Sequence, residues 1–161
     1  MRESTMLAER TLSVNAIRNG TVIDHITANR AISILRLLQH ATSHTKITIG
    51  INLPSKTSGF KDMIKFEERH LTEGELIKIA LIAPHATVNI ISNYELANKF
   101  KVSPPKSIRG IFKCPNHTCI TNHEPMSTYF HIDYFREETK LQCHYCRKQH
   151  KFPEIENYLL E

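Results

Sequence analysis

An α+β architecture is expected, with a ferredoxin-like βαββαβ unit followed by a small β-rich region. Three observations predict it. Hydrophobic spacing switches between period two and period 3.6 in the order β-α-β-β-α-β, the split βαβ arrangement of an antiparallel sheet with helices on one face. All four cysteines, Cys114, Cys119, Cys143 and Cys146, fall in the last third of the chain. Between the two regions lies Val102-Ser103-Pro104-Pro105-Lys106. Its proline pair removes two backbone donors and favours extended chain, as a linker requires. The chain is therefore divided into residues 1–105 and 106–161, with residues 1–10 expected to be a mobile tail.

The elements follow in order. Leu12 to Arg18 reads as a strand, and Asn19-Gly20 is a turn signal that either bends a long strand or closes a hairpin. Thr21 to Ile26 continues extended. Thr27 is placed to cap a helix from Ala28 to about His40, with an apolar stripe of Ala28, Ala31, Ile32, Leu35 and Leu38. Lys46 to Asn52 alternates, with Ile47, Ile49 and Ile51 on one face. A loop over 53–59 leads to a strand from Phe60 to Phe66. Thr72-Glu73-Gly74-Glu75 has the form of a capping box. The helix it opens carries Leu76, Ile79, Ala80 and Ala83 and stops at Pro84. Ala86 to Ile91 is a further strand, and Glu95 to Val102 can add another.

Composition is that of a soluble globular protein: 161 residues, 18.6 kDa, 40% apolar and 23% charged, with no Trp and five Gly. The first ten residues show no signal-peptide pattern, and no stretch reaches the ~20 apolar residues of a membrane span. A cytoplasmic protein is expected. Charge is uneven. Residues 1–106 hold 14 Lys+Arg against 9 Asp+Glu, whereas residues 107–161 hold 7 of each. The positive excess lies wholly in the first two thirds.

Cys114-x4-Cys119 and Cys143-x2-Cys146 are two short-range pairs separated by 23 residues. Such pairs on two turns bring four thiolates to the corners of a tetrahedron, which suits structural Zn²⁺. A region of roughly 55 residues has little core, so a metal would supply much of its folding energy. Two disulfides are the alternative, disfavoured for an intracellular chain. Catalytic zinc normally keeps one position open, and four thiolates leave none. His117 and His144 flank the ligands and could replace one. They read more simply as surface histidines, as do His123, His131 and His150.

In the strand Phe60–Phe66, Ile64, Phe66 and Asp62 share one face while Lys61, Met63 and Lys65 point the other way. Two ammonium groups on an open sheet face suit a polyanion such as a nucleoside triphosphate, and Lys99 and His25 could join them. The alternative is a solvated strand face with lysines placed for solubility. No Gly-rich phosphate loop, nucleophile elbow or HExxH helix is present, which argues against catalysis.

Several blocks, in order and at equal spacing, resemble the regulatory chain of aspartate carbamoyltransferase. They are Thr21–Ile26, Ile47–Ser55, Lys61–Lys65, Ala86–Asn89, Asn93-Tyr94-Glu95 and the CPNxxC and CxxC knuckles. The resemblance runs from about Leu12 to about Phe152. It implies an N-terminal allosteric domain that binds CTP as inhibitor and ATP as activator, with UTP acting alongside CTP. It also implies a C-terminal zinc domain that docks on a separate catalytic chain, a homodimer of regulatory chains through the allosteric domains, and no chemistry in the regulatory chain itself. By motif position, Ile17 and Tyr94 would frame the base, Asp24 and Lys65 would lie near ribose and base, and His25 and Lys99 would meet the phosphates. Ala16, Asn89, Ile91 and Leu96 would line the same pocket. The chain departs from the family pattern at Thr11, Asn15, Thr118 and Arg147.

A zinc-ribbon nucleic-acid-binding protein is the main alternative function, supported by a pI of about 9.1 and by the cysteine knuckles. Phe112, Tyr129, Phe130, Tyr134 and Phe135 could stack bases, but they serve equally as the core of a small β domain. The neutral cysteine region has no basic stripe. A small zinc enzyme is the remaining alternative, and the four-thiolate set argues against it.

Overall fold

The computed structural model describes residues 15–38 and 44–160. The expected tail and Thr11 lie outside these residues. Two sheets are built in succession. The first contains β1 (Gly20–Thr27), β2 (Ile47–Ser55), β3 (Gly59–Glu67), β4 (Thr87–Ser92) and β5 (Glu95–Lys101), in the antiparallel order β2-β3-β1-β4-β5. Helices α1 (Ala31–Leu37) and α2 (Glu73–Ile82) follow β1 and β3. The central four-strand order is that of the ferredoxin-like topology, extended by β5 at one edge.

Ile23 and Ile26 of β1, Ile64 and Phe66 of β3 and Val88 of β4 are buried with Ile34 and Leu37 of one helix, Leu38 at its C-terminal cap, and Ile79 and Ala80 of the other helix. This is the helix-covered face. In α2 the expected capping box forms: Thr72 Oγ1 accepts from Glu75 N–H, and the Glu75 carboxylate accepts from Thr72 N–H. Glu75 also pairs with the Arg69 guanidinium, which stands over the Phe66 ring.

Three expectations are corrected. The helix does not start at Ala28 under a Thr27 cap. Thr27 ends β1, residues 28–30 form a turn with Asn29 at φ 67°, and α1 begins at Ala31. Its first N–H donates to the buried carboxylate of Asp62, 31 residues away, at 3.0 Å. The same carboxylate accepts from Asn52 N–H at 3.0 Å. Of the expected stripe, Ala31 and Leu38 are buried and Leu35 packs against the core, Ile34 and Leu37 are buried with them, and Ile32 is exposed. The end expected near His40 lies outside the described residues.

Second, of the strand expected from Leu12 to Arg18, residues 12–14 lie outside the described residues and residues 15–18 are not a strand. The segment crosses the open face of the sheet, where the Asn15 carbonyl accepts from Lys65 Nζ and the Arg18 carbonyl from Tyr94 N–H. The strand begins at Gly20, whose φ of +135° favours glycine and whose added Cβ would fall 2.0 Å from the Phe66 carbonyl oxygen. Third, residues 53–55 and 59 belong to strands rather than to a loop, and only 56–58 form the turn.

The second sheet has the order β6-β7-β8-β9, from β6 (Ser107–Arg109), β7 (Tyr129–Phe135), β8 (Glu138–Cys143) and β9 (Gln149–Lys151), and ends in the one-turn α3 (Phe152–Ile155). Its small core holds Ile108, Phe112, Phe130, Leu141, Phe152 and Ile155 together with the cysteines. A hydrogen bond between His85, before β4, and Tyr134, on β7, joins the two units.

Candidate functional site

Strand register places the candidate residues. Directly opposed residues of antiparallel strands share a face. Lys65 on β3, Val22 on β1, Asn89 on β4 and Lys99 on β5 are opposed in turn, giving one row across the helix-free face. On one side of it lies the row Gly20–Ile91–Leu96, and on the other the row Asp24–Thr87–Lys101.

A cavity of about 470 Å³ covers the first of these levels. It is walled by Ala16 and Ile17 of the crossing segment, Val22, Met63, Lys65, Asn89, Ile91, Leu96 and the turn residue Tyr94. Leu53, Pro54 and Lys61 complete it. Mostly apolar walls with a few converging polar groups suit a flat heterocycle. Burial pushes the Lys65 ammonium below its ordinary pKa, and the nearby Asp24 carboxylate partly offsets this. Tyr94 adopts φ 67° beside Asn93 at 49°, so the tight turn between β4 and β5 presents its backbone at the cavity mouth.

His25 and Lys99 are not in these walls. They line a neighbouring groove of about 750 Å³ further along β4 and β5. A bulge after Ile23 makes this separation, with His25 at φ 58°. Asp24 lines neither space. Its carboxylate accepts from Lys61 Nζ at 2.8 Å and from His25 N–H at 2.7 Å. The structure thus gathers seven of the ten sequence-named residues around one cavity, sets His25 and Lys99 beside the next, and ties Asp24 into an ion pair. Strand alternation already puts Lys61 and Met63 on the face of Lys65. Val22, Leu53 and Pro54 carry no such signal, because their place in the wall depends on register.

In the second unit the Sγ atoms of Cys114, Cys119, Cys143 and Cys146 all lie within 4.8 Å of one another. Cys114–Cys146 and Cys119–Cys143 separate by 3.8 and 3.7 Å. These distances exceed the roughly 2.05 Å of a disulfide. They match the ~3.8 Å edge of a tetrahedron whose arms are about 2.3 Å, the zinc–sulfur distance. Burial pushes the Cys114 and Cys143 thiols up, against hydrogen bonds from backbone N–H groups. Burial also acts on Cys146, but the Asn116 side chain and Lys148 N–H bring it down to about 7. Asn122 Nδ2 donates to the carbonyls of Cys114 and Asn116 and holds the first knuckle closed. Thr121 Oγ1 lies 3.2 Å from the Cys119 sulfur. The donor set fits a metal ion held by four sulfurs with no position left for a substrate. Among the described residues the cluster contains cysteines alone. His144 instead meets His131 at 3.0 Å within a stack on Tyr129. His117 is exposed, and its carbonyl oxygen accepts from the His123 ring at 2.9 Å.

A family model described as aspartate carbamoyltransferase regulatory chain, allosteric domain, matches residues 12–103. The corresponding metal binding domain matches residues 106–156. The chain belongs to the regulatory chains of aspartate carbamoyltransferase. A relative of that name from Vibrio campbellii is 46% identical over 143 residues, covering 89% of this chain and 94% of its own length. One from Photobacterium profundum is 46% identical with 89% and 93% covered, and one from Aliivibrio fischeri 47% identical with 85% and 89% covered. The protein is thus a non-catalytic regulatory subunit of a pyrimidine-biosynthesis enzyme, with an allosteric and a metal-binding domain. No helix among the described residues is long and apolar enough to cross a membrane. Of the aromatic residues the nucleic-acid alternative needs, Phe112 and Phe130 are fully buried and unavailable for stacking.

Proposed function

We propose that this regulatory chain binds CTP and ATP, with UTP alongside, on the open face of its first sheet. The division of labour falls at residues 1–105 for the nucleotide and 106–161 for the metal. The effect then passes to a separate catalytic chain docked on the second unit, and regulatory chains pair as a homodimer through the first. The observation that carries the nucleotide reading is the row Lys65–Val22–Asn89–Lys99. It joins a largely apolar cavity to a cationic groove on one continuous face. Tyr94 and Ile17 are assigned to the base, Lys65 to base and ribose, and His25 and Lys99 to phosphates. Asp24 acts by holding Lys61 at the cavity wall.

Zn²⁺ is the metal assigned to Cys114, Cys119, Cys143 and Cys146. When bound, the ion supplies folding energy to the second unit rather than turnover. Calorimetric titration of the chain with CTP and ATP tests the nucleotide reading. Lys65→Ala, at a buried ammonium, is expected to weaken binding by ~1.5–3 kcal/mol. Lys99→Ala, on the exposed edge strand, is expected to weaken both ligands alike by about 1 kcal/mol. Lys56→Ala, in the β2–β3 turn, should change little. Unchanged affinity in both of the first two variants would place the site elsewhere.

A further inference from the structure

The connection between β4 and β5 is unusual in its second residue. Ser92 and Glu95 are directly paired, so Asn93 and Tyr94 alone make the turn, at φ 49° and 67°. Two-residue turns with positive φ at both centres favour Asn followed by Gly. A bulky Tyr holds that conformation only where its surroundings enforce it. Residues 18 and 19 supply the enforcement. Tyr94 N–H donates to the Arg18 carbonyl at 2.9 Å, and Asn93 N–H donates to Asn19 Oδ1 at 3.0 Å. Both N–H groups of the turn are thus taken by the segment that also carries Ala16 and Ile17.

Asn19 is itself anchored at the end of β3. Its Nδ2 donates to Glu68 Oε1 at 3.1 Å, and its carbonyl accepts from Glu68 N–H at 3.0 Å. One side chain therefore ties its own segment to two others, 49 and 74 residues further along. The partners fix the amide orientation, because a flipped amide would set donor against donor and oxygen against carboxylate. Asn19 lines neither the cavity nor the groove.

We propose that Asn19 is a positioning residue: it latches the Asn93-Tyr94 turn to residues 16–18 and presets the shape of the first cavity. This rests on the nucleotide reading above and adds the device that holds the base end in form. Ala16 and Ile17 wall the cavity from the latched segment, and Tyr94 and Leu96 wall it from the turn and β5. With their spacing set before the ligand arrives, binding does not bear the cost of ordering the turn.

The test combines amide hydrogen exchange, followed by NMR on the ligand-free full chain, with calorimetric titration by CTP and ATP. Asn19→Ala removes the acceptor for Asn93 N–H. It should speed exchange at Asn93 and Tyr94 several-fold and leave the amides of β1 and β3 unchanged. Both nucleotides should bind roughly two- to fivefold more weakly, as loss of one solvent-exposed hydrogen bond implies. Asn19→Asp keeps that acceptor but sets a second carboxylate against Glu68, and should also weaken binding. Adding Glu68→Gln to Asn19→Asp returns one donor to the pair and should recover most of the wild-type affinity, a rescue that general destabilisation would not show. Glu68→Gln alone keeps an acceptor for Asn19 and should change little. Unchanged exchange at Asn93 in Asn19→Ala would show that there is no latch. Faster exchange with wild-type affinity for both nucleotides would dismiss the positioning role and leave the nucleotide reading standing. Failure of Glu68→Gln to recover an affinity lost in Asn19→Asp would do the same. Absence of nucleotide binding by the wild-type chain would overturn the reading and this inference together.

Discussion

Tyr134 Oη and His85 Nε2 lie 2.8 Å apart, with their rings edge to face at 5.8 Å between centroids. His85 precedes β4 of the first sheet, and Tyr134 sits on β7 of the second. Both residues also line the cationic groove. The contact therefore links the metal-binding unit to the far end of the proposed effector site. Burial pushes the Tyr134 hydroxyl above its ordinary pKa, with the Glu137 carboxylate adding to the shift.

A double-mutant cycle over this pair should return a coupling of about 0.5–1 kcal/mol in thermal or urea unfolding, since His85 is exposed and only part of the bond is shielded. Tyr134→Phe keeps the edge packing and removes the hydrogen bond. His85→Ala removes both. Strictly additive single and double variants would show that the contact contributes nothing to joining the units.

Asp62 is expected to be the most sensitive carboxylate of the first unit. It is fully buried, begins α1 through Ala31 N–H and holds the β2 bulge through Asn52 N–H. Asp62→Ala leaves both donors without a partner and should cost about 2–4 kcal/mol in urea unfolding. Asp62→Asn, which keeps one acceptor, should cost less. A loss for Asp62→Ala below about 0.5 kcal/mol, the range of ordinary surface substitutions, would contradict the role given to this carboxylate.

Elemental analysis of the purified chain should find one zinc per chain, and Cys146→Ser should lower that figure sharply. Because the second unit has a thin core, metal loss should unfold it, whereas the first sheet, with its own core, should persist. The catalytic chain should then no longer co-purify with the variant. Full assembly by a metal-free chain would refute the structural role of the ion.

His150 offers a pH dependence of definite sign. Burial pushes its imidazole below the ordinary value of 6.5, with Glu154 opposing and Lys148 reinforcing the shift, and its Nε2 is buried without a partner among the described residues. The unfolded chain takes up the proton near pH 6.5, and the folded chain does so only at lower pH. Stability is therefore full above about 6.5 and declines as pH falls from there toward the folded-state value. His150→Leu should flatten this decline relative to wild type in melting curves between about pH 7.5 and 5.5. Metal release on acidification affects both proteins, so the difference between them is the measure. Parallel curves would dismiss His150 as the source.

The features legible in the sequence were those set by neighbours along the chain. Period-two and period-3.6 spacing marked β2, β3, α2 and β4. The Thr72–Glu75 capping box needs residues only three apart, and each cysteine knuckle closes within six. Tertiary structure alone decided what depends on distant partners. The start of α1 is governed by Asp62, 31 residues away, so the local Thr27 signal lost to a buried carboxylate that no local pattern announces. Residues 15–18 leave the sheet because their carbonyls are used by Lys65 and Tyr94. The bulge at Asp24 and His25 turns two adjacent residues to different tasks, one in an ion pair and one in the groove. Strand register, finally, aligns Lys65, Val22, Asn89 and Lys99 in one row, because pairing between strands sets which residues share a face across the sheet, and no stretch of chain contains that information.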